Sequence, residues 1–282
     1  ISPKGVFYER NRCIGQHGDC DRIMEIANRY EIPVIEDAAE GFGSKYKGQM
    51  LGTFGHLGIL SFNGNKMITT SGGGAMITNS DEQWREIMMY ATQYRESYPY
   101  YQHEKIGFNY RMSNICAGIG RGQMTVADKH LAHHRHAQAL YEELLKDVEG
   151  IHVHTQPTCG KYDSNFWLTA ITIDPELRVK GEDKVYSKTV TGAVGGAGGV
   201  VHIAKPITTE CQPNRNVEAM RIWLDKALIE ARPVWKPMHK QPIYQNAPAY
   251  TNGVSEAIFK IGMCLPTGPC VTDDDVRYIV DC

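Results

Sequence analysis

Two residues of the chain, Asp37 and Lys66, have the types and local settings needed to grip a reactive heterocycle. The run Ile32-Pro33-Val34-Ile35 leads into Glu36-Asp37, and Gly58-Ile59-Leu60-Ser61-Phe62 leads through Asn63-Gly64-Asn65 to Lys66. Short apolar runs bounded by turn residues read as buried strands. Open α/β sheets present their ligand-binding groups at the carboxyl ends of such strands. An amine and a carboxylate delivered from neighbouring strand ends suit pyridoxal phosphate, whose aldehyde needs an anchor and whose ring nitrogen needs an acidic partner. A carboxylate about 4 Å from a protonated nitrogen is worth about 4 kcal/mol at an effective dielectric of about 20, or about three pKa units. That keeps a pyridine nitrogen protonated at neutral pH. The ring can then take up the electron pair left when a proton leaves an amine-bearing carbon, and a lysine displaced from the aldehyde becomes a base for moving that proton.

Taken singly, these residues have plainer readings. A lysine after a strand is ordinarily a solvated surface side chain. Asp37 could cap a following helix, with Glu40 on its exposed face. Ser61 could satisfy a strand-end backbone group, Asn109 could start a turn, and His239 could serve packing alone. Gly72-Gly73-Gly74 lacks the Lys-Ser/Thr ending of a nucleotide P-loop and reads as a tight turn. His130, His133, His134 and His136 cluster on a helix, but without a third ligand or the Glu of His-Glu-x-x-His they read as a solvated or interface face, not a metal site. The glycines between Gly195 and Gly199 have the wrong spacing for a dinucleotide fingerprint.

The elements that must position Asp37 and Lys66 follow from periodicity. Ile23, Ile26, Ala27 and Tyr30 share a helical face between Gly18 and Tyr30, and Ala75-Met76-Ile77-Thr78 reads as a further strand. Ser80 with Gln83 predicts a capping box, opening a helix with Trp84, Ile87, Met88 and Ala91 on one face. From Ser113 to about Val148 the pattern is helical and free of proline, which predicts one long helix connecting two domains, 1–135 and 136–282. Beyond it, Phe166 to Ile173 alternates as a strand, Asn216 to Leu228 reads as a helix, Ile229 to Ala231 starts a strand and Thr272 caps a final helix. This is an α+β pattern. The glycine-rich stretch Gly192 to Gly199, within Arg178 to Pro213, reads as a mobile excursion.

Composition excludes several classes. The net charge of −2 and a pI near 6.6 provide no basic field for a nucleic-acid backbone. Neither a membrane span nor a signal peptide is visible. Eight cysteines without C-x-x-C or zinc-ligand rhythm suit reduced thiols in a cytoplasmic protein.

Five runs, in order, resemble the DegT/DnrJ/EryC1/StrS sugar aminotransferase family: Val34-Ile35-Glu36-Asp37-Ala38-Ala39-Glu40, Gly52-Thr53-Phe54-Gly55, Leu60-Ser61-Phe62-Asn63-Gly64-Asn65-Lys66, Gly107-Phe108-Asn109-Tyr110-Arg111-Met112-Ser113-Asn114, and Glu230-Ala231-Arg232-Pro233-Val234-Trp235-Lys236-Pro237-Met238-His239. The resemblance implies an α/β fold of the fold type I pyridoxal-phosphate enzymes, with a mostly parallel central sheet in the large domain and a smaller α+β C-terminal domain. It implies that Lys66 holds pyridoxal 5'-phosphate as a Schiff base, Asp37 pairs with the ring nitrogen, Glu40 meets the phenolic oxygen, and Ser61 binds the phosphate. Asn109 would reach the phosphate of a neighbouring subunit's cofactor, making a homodimer part of the active site, and His239 would lie near the nucleotide-sugar end of the substrate. The implied reaction is transfer of an amino group from glutamate to a UDP- or dTDP-linked keto sugar, for polysaccharide, glycan or antibiotic sugar synthesis. A dehydrating branch of the family carries His at the position of Lys66, which favours transamination here. Relatives begin with further strands and helices, including a phosphate-binding turn at a helix N-terminus. No such segment precedes the match, so the large domain is expected to lack its N-terminal part, and Tyr8 to His17 fits the family pattern poorly. The alternatives are a regulatory protein without catalysis and a pyridoxal-phosphate enzyme of other chemistry, such as a dehydratase or an aminotransferase for a non-sugar ketone.

Overall fold

The computed structural model describes residues 6–9, 19–185 and 211–282, with 6–9 described as backbone. Most of the poorly fitting stretch from Tyr8 to His17, and the glycine-rich stretch 192–199, lie outside these residues. The elements are β1 (Val6–Glu9), α1 (Cys20–Arg29), β2 (Val34–Asp37), β3 (Lys45–Tyr46), β4 (Gln49–Met50), β5 (Leu57–Ser61), β6 (Gly74–Ile77), α2 (Asp81–Ala91), α3 (Asn114–Met124), α4 (Ala127–Leu145), β7 (Ile151–Val153), β8 (Tyr162–Asp163), β9 (Thr169–Ile173), α5 (Arg215–Lys226), β10 (Arg232–Pro233), α6 (Val254–Ile261), β11 (Gly262–Leu265) and α7 (Asp273–Asp281). They group into two compact units, one of residues 1–136 and 155–167, the other of 137–154 and 168–282. The division near residue 136 falls inside α4, while 155–167 returns to the first unit, a crossing that a single boundary at 135/136 does not include.

In the first unit a four-stranded sheet runs β1-β2-β5-β6, with β1, β2 and β5 parallel and β6 antiparallel. Asp19 caps α1, accepting from the Arg22 amide at 3.2 Å, and the helix buries Cys20 and Ala27. Strand β2 alternates in burial, so Val34 and Glu36 face inward on the side lined by Cys20, Ile23 and Met24 of α1. Period-two alternation sends Ile35 and Asp37 to the opposite face. A second sheet, β4-β3-β8, uses a strand from the returning segment, and its Tyr46 is fully buried with its hydroxyl 3.1 Å from both the Asp19 and Asp21 carboxylates.

In the second unit an antiparallel sheet, β10-β11-β9-β7, packs apolar residues Ile151, Ile171, Ile173, Met263 and Leu265 with Tyr141 of α4, Val217 and Leu224 of α5, and Val276 and Ile279 of α7. Thr272 and Asp275 form a complete capping box on α7.

Several expectations are corrected. The single long helix is two, α3 and α4, because Thr125 turns its hydroxyl onto the Gly122 carbonyl at 2.7 Å and satisfies the end of a glycine-containing helix. The predicted capping box at α2 is half formed: Ser80 accepts from the Gln83 amide at 3.2 Å, but the Gln83 carboxamide oxygen is taken by the Thr78 hydroxyl at 2.7 Å. The face with Trp84, Ile87, Met88 and Ala91 leaves Trp84 55% exposed, and α2 buries no residue. The strands expected from Phe166 and from Ile229 start later, at Thr169 and Arg232. The histidine face of α4, expected to be solvated or an interface, is divided: His136 is exposed, whereas His134 is 3% exposed with Nδ1 3.2 Å from the Phe166 carbonyl, and His130 Nδ1 lies 3.2 Å from the Met67 carbonyl.

Two outcomes follow from this packing. A methyl group at Gly58 would lie 1.9 Å from the Gly52 carbonyl oxygen, so Gly58→Ala is expected to lower unfolding free energy by about 1–3 kcal/mol in urea titrations. Burial pushes His134 from 6.5 down to about 4, so below pH 6.5 the unfolded chain binds a proton that the native imidazole refuses. Stability is therefore lost as pH falls from about 6.5 toward 4, by up to about 3 kcal/mol, and titrations at pH 7 and 4.5 should show that this loss is absent in His134→Gln.

Candidate active site around Lys66

Strand pairing brings the expected residues together. The register sets Asp37 beside Ile59, and the Ala38 amide continues the ladder by donating to the Ile59 carbonyl at 2.9 Å. Paired residues of parallel strands point to the same face, and so do residues two apart on one strand. Asp37 and Ser61, at the ends of β2 and β5, thus share the sheet face opposite α1. The Asp37 Oδ1 accepts from the Ala39 amide at 3.1 Å, which turns the chain after the strand. No helix follows, and a pair of turns carries the chain instead, so the capping reading of Asp37 fails. Three residues on, Glu40 forms an ion pair with Lys66, whose Nζ donates to Glu40 Oε1. Only 12% of the Lys66 side chain and 18% of the Glu40 side chain are exposed, so Lys66 is not the solvated surface residue of the plainer reading. Ser61 Oγ accepts from the Asn63 amide at 3.4 Å, the strand-end role open to it, and the Lys66 amide donates to the Asn63 carbonyl at 3.1 Å.

Two residues that the sequence reading missed complete this arrangement. Trp167 is 4% exposed and its ring lies 4.6 Å from Lys66 Nζ, a cation–π contact worth about 1–2 kcal/mol when desolvated. Its indole N–H donates to the Asn65 carbonyl at 2.7 Å. Asn165, fully buried, donates from Nδ2 to the Glu40 carbonyl at 2.8 Å and the Phe42 carbonyl at 2.9 Å, and accepts at Oδ1 from the Trp167 amide at 2.9 Å. Between them Phe166 adopts φ +44, a conformation costing about 1–3 kcal/mol in a non-glycine residue. The only local sign was an Asn and one of the chain's four tryptophans at what reads as a strand start.

Glu36, 1% exposed, works from the other face of β2. Its Oε2 accepts from the Phe54 amide at 3.0 Å and the Gly55 amide at 3.5 Å, tying the Gly52-Thr53-Phe54-Gly55 turn to the strand that ends in Asp37.

The remaining two candidates lie elsewhere. Asn109 is exposed and bridges to Thr92. It lines a cavity of about 480 Å³ with Thr92, Gln93, Arg95, Glu96, Ser97, Tyr98 and Arg111. Gln93 and Tyr94 both take left-handed backbone, φ +67 and +50, and Gly107 passes so close that a methyl group there would sit 2.3 Å from the Gln93 carbonyl carbon. His239 belongs to the second unit, with Nε2 2.8 Å from Glu256 Oε1. Together with Lys240 it holds the Glu256 carboxyl below its usual range.

Comparison with known proteins adds independent findings. The model of the DegT/DnrJ/EryC1/StrS aminotransferase family matches residues 12–197 and 197–282. The chain is 36% identical over 271 residues to EpsN of Bacillus subtilis (strain 168), named for a pyridoxal phosphate-dependent aminotransferase, covering 95% of this chain and 60% of that protein. It is 30% identical over 272 residues to the GDP-perosamine synthase of Escherichia coli O157:H7, covering 95% and 63%. The chain thus spans about three fifths of the length of these curated relatives. The aminotransferase TlmJ from Streptoalloteichus hindustanus superposes with a TM-score of 0.77 at 18% identity over 98% of this chain and 64% of that one, a likeness of fold.

Replacing Asn165 by Ala strands the Glu40 and Phe42 carbonyls in the interior. The expected cost is about 2–4 kcal/mol of unfolding free energy, measured by urea denaturation, with Asn165→Asp similarly affected because it removes the same donor.

Proposed function

The chain belongs to the DegT/DnrJ/EryC1/StrS aminotransferase family, and from that premise we propose that it transfers an amino group from glutamate to a nucleotide-linked keto sugar using pyridoxal 5'-phosphate. The observation that carries the reading is Lys66, an amine held in a mostly buried ion pair with Glu40 at the mouth of two parallel strands. The residues there fit the cofactor: an amine at Lys66, an acid at Asp37, a hydroxyl at Ser61, and a shared sheet face for the last two. When bound, the cofactor supplies an aldehyde for amine exchange and an electron-withdrawing ring.

The protein's own groups would then divide the work. Lys66 Nζ anchors the cofactor and, once released, moves a proton at the amine-bearing carbon. Asp37 holds a proton on the ring nitrogen. Glu40 orients Lys66 Nζ through its carboxylate, Trp167 covers the amine and excludes water, and Ser61 offers its hydroxyl to the phosphate. In this reading the first unit belongs to the large cofactor domain, the second is the smaller α+β domain, and the enzyme works in the cytoplasm.

A homodimer is part of the proposal, with Asn109 reaching the cofactor phosphate of a second copy. Support comes from large apolar side chains exposed between residues 100 and 115: Tyr101 at 71%, Ile106 at 88%, Tyr110 at 76% and Ile115 at 79%. Apolar exposure on this scale marks association surfaces. His239 is assigned to the substrate side. The relatives' names differ in the nucleotide, since they include GDP-, UDP- and dTDP-linked sugars.

The test is chemical. Borohydride reduction of the cofactor-saturated protein should leave the cofactor mass on the peptide containing Lys66, and an unmodified Lys66 under those conditions would refute the assignment. Lys66→Ala should reduce turnover by about a thousandfold or more. With glutamate and a panel of nucleotide keto sugars, 2-oxoglutarate should appear together with an aminated sugar.

A further inference from the structure

Lys66 stands in a segment whose backbone is gripped from outside. Residues 63–70 belong to no helix or strand, so no regular ladder satisfies their amides and carbonyls, yet Met67, Ile68 and Thr70 are only 4%, 3% and 3% exposed. Buried backbone groups need partners wherever they lie. Two bonds are local: the Lys66 amide donates to the Asn63 carbonyl at 3.1 Å, and the Thr70 amide to the Phe62 carbonyl at 2.9 Å. Three more come from side chains far along the chain. The Trp167 indole N–H donates to the Asn65 carbonyl at 2.7 Å, His130 Nδ1 lies 3.2 Å from the Met67 carbonyl, and the Thr69 amide donates to Gln123 Oε1 at 3.1 Å. A carbonyl only accepts and an amide only donates, so the imidazole presents N–H and the glutamine its oxygen.

These grips bracket the lysine. Trp167 holds the residue before it, while His130 and Gln123 hold the first and third residues after it. Gln123 lies in the last turn of α3 and His130 in the first turn of α4, on either side of the turn at Thr125. The reaction described above gives Trp167 and Glu40 tasks at the amine but leaves Gln123 and His130 without one.

We propose that Gln123 and His130 are positioning residues for the Lys66 amine, fixing the backbone beyond it as Trp167 fixes the backbone before it, so that the side chain swings on a stationary base. A lysine stem is flexible along its whole length, so it supplies reach and no precision. Precision has to come from the backbone that carries it. An amine that anchors a cofactor and then moves a proton must return to one place, and a displacement of about 1 Å caused from a distance can cost about a hundredfold in rate. The two grips hold groups of opposite polarity two residues apart on the same side of the segment, so a rotation of the segment about its own axis breaks both. Side chains that lock a reactive group without touching substrate are the usual support of a precise site. The task of the amine rests on the proposed aminotransferase reading; the grip on its backbone does not.

Two pairs of variants separate the hydrogen bond from the bulk of the side chain. Gln123→Met removes the acceptor at similar length and Gln123→Glu keeps it; His130→Leu removes the donor and His130→Asn keeps one at the reach of Nδ1. The first measurement is amide hydrogen exchange in the purified, cofactor-free chain at Lys66 and Thr70, whose own partners, Asn63 and Phe62, are left intact. Exchange at both should be about tenfold faster or more in the Met and Leu variants and within about threefold of the parent in the Glu and Asn variants. The His56 amide, bonded to the Val34 carbonyl at 2.8 Å, is the reference in the same unit and should not change. The second measurement mixes L-glutamate with protein saturated with pyridoxal 5'-phosphate and follows the cofactor absorbance. The rate constant at saturating glutamate should fall about tenfold or more in the Met and Leu variants, with the half-saturating concentration within about twofold, and the Glu and Asn variants should restore it. Unchanged exchange at Lys66 and Thr70, equal acceleration at His56, Glu and Asn variants that fail as the Met and Leu variants do, or faster exchange with an unchanged glutamate rate would each overturn the proposal. Borohydride labelling of the parent is read in parallel. An unlabelled Lys66 sinks the aminotransferase reading, and exchange at Lys66 and Thr70 then decides the grip alone.

Discussion

The Lys66–Glu40 ion pair, drawn mostly out of solvent, is the constraint around which the first unit is arranged. Burying an ammonium and a carboxylate costs several kcal/mol per ion, and their attraction offsets that only when geometry is tight and the surrounding polar groups are satisfied. The structure meets both conditions by covalently independent routes. Glu40 is fixed from behind by the Asn165 carboxamide on its own carbonyl, and Lys66 is covered by the Trp167 ring, which is itself tethered to the Asn65 carbonyl. Losing either partner would leave the other as an uncompensated charge, so neither position tolerates a neutral substitute as a surface residue would.

The sheet supplies the remaining precision. Strand β2 ends in two successive carboxylates, and alternation sends them to opposite faces with opposite tasks. Glu36 turns inward and spends Oε2 on the amides of the 52–55 turn, whereas Asp37 turns to the face it shares with Ser61. The turn that Glu36 secures lies directly before β5, the strand that leads to Lys66, and Gly58 of β5 permits its close approach to the Gly52 carbonyl. An inward structural acid thus holds in register the two strands whose ends bear the outward chemical groups.

What was legible in the sequence was local. Strands β2, β5 and β6 and the helix α1 show themselves as short apolar runs or periodic faces, because their hydrophobic patterns repeat within a few residues. The Thr272 cap is legible for the same reason. The resemblance put Glu40 and Lys66 at one cofactor, but their direct ion pair was not legible, since it ties residues 26 apart in sequence. Asn165 and Trp167 were hidden because their partners lie at residues 40, 42 and 65, beyond any window of periodicity. The helix break at Thr125 was hidden by side-chain competition: a threonine hydroxyl bonding back to Gly122 looks, in sequence, like an ordinary helical residue. The same competition, with Thr78 outbidding the Ser80 backbone for Gln83, explains the half-formed cap.

His134 shows how such misreadings arise and what they cost. Four histidines within seven positions look like a polar face, yet helix geometry places His130 and His134 one turn apart on the same side, and that side meets the carbonyls of Met67 and Phe166. A neutral imidazole that donates from Nδ1 suits a buried carbonyl, whereas a charged one would bring a desolvation penalty without a counter-charge. Both carbonyls flank the site, one next to Lys66 and the other next to Trp167. Helix α4 therefore braces the two segments that bring the amine and its aromatic cover together, through the hydrogen bonds of His130 and His134, while burial without a counter-charge disfavours the protonated form of His134.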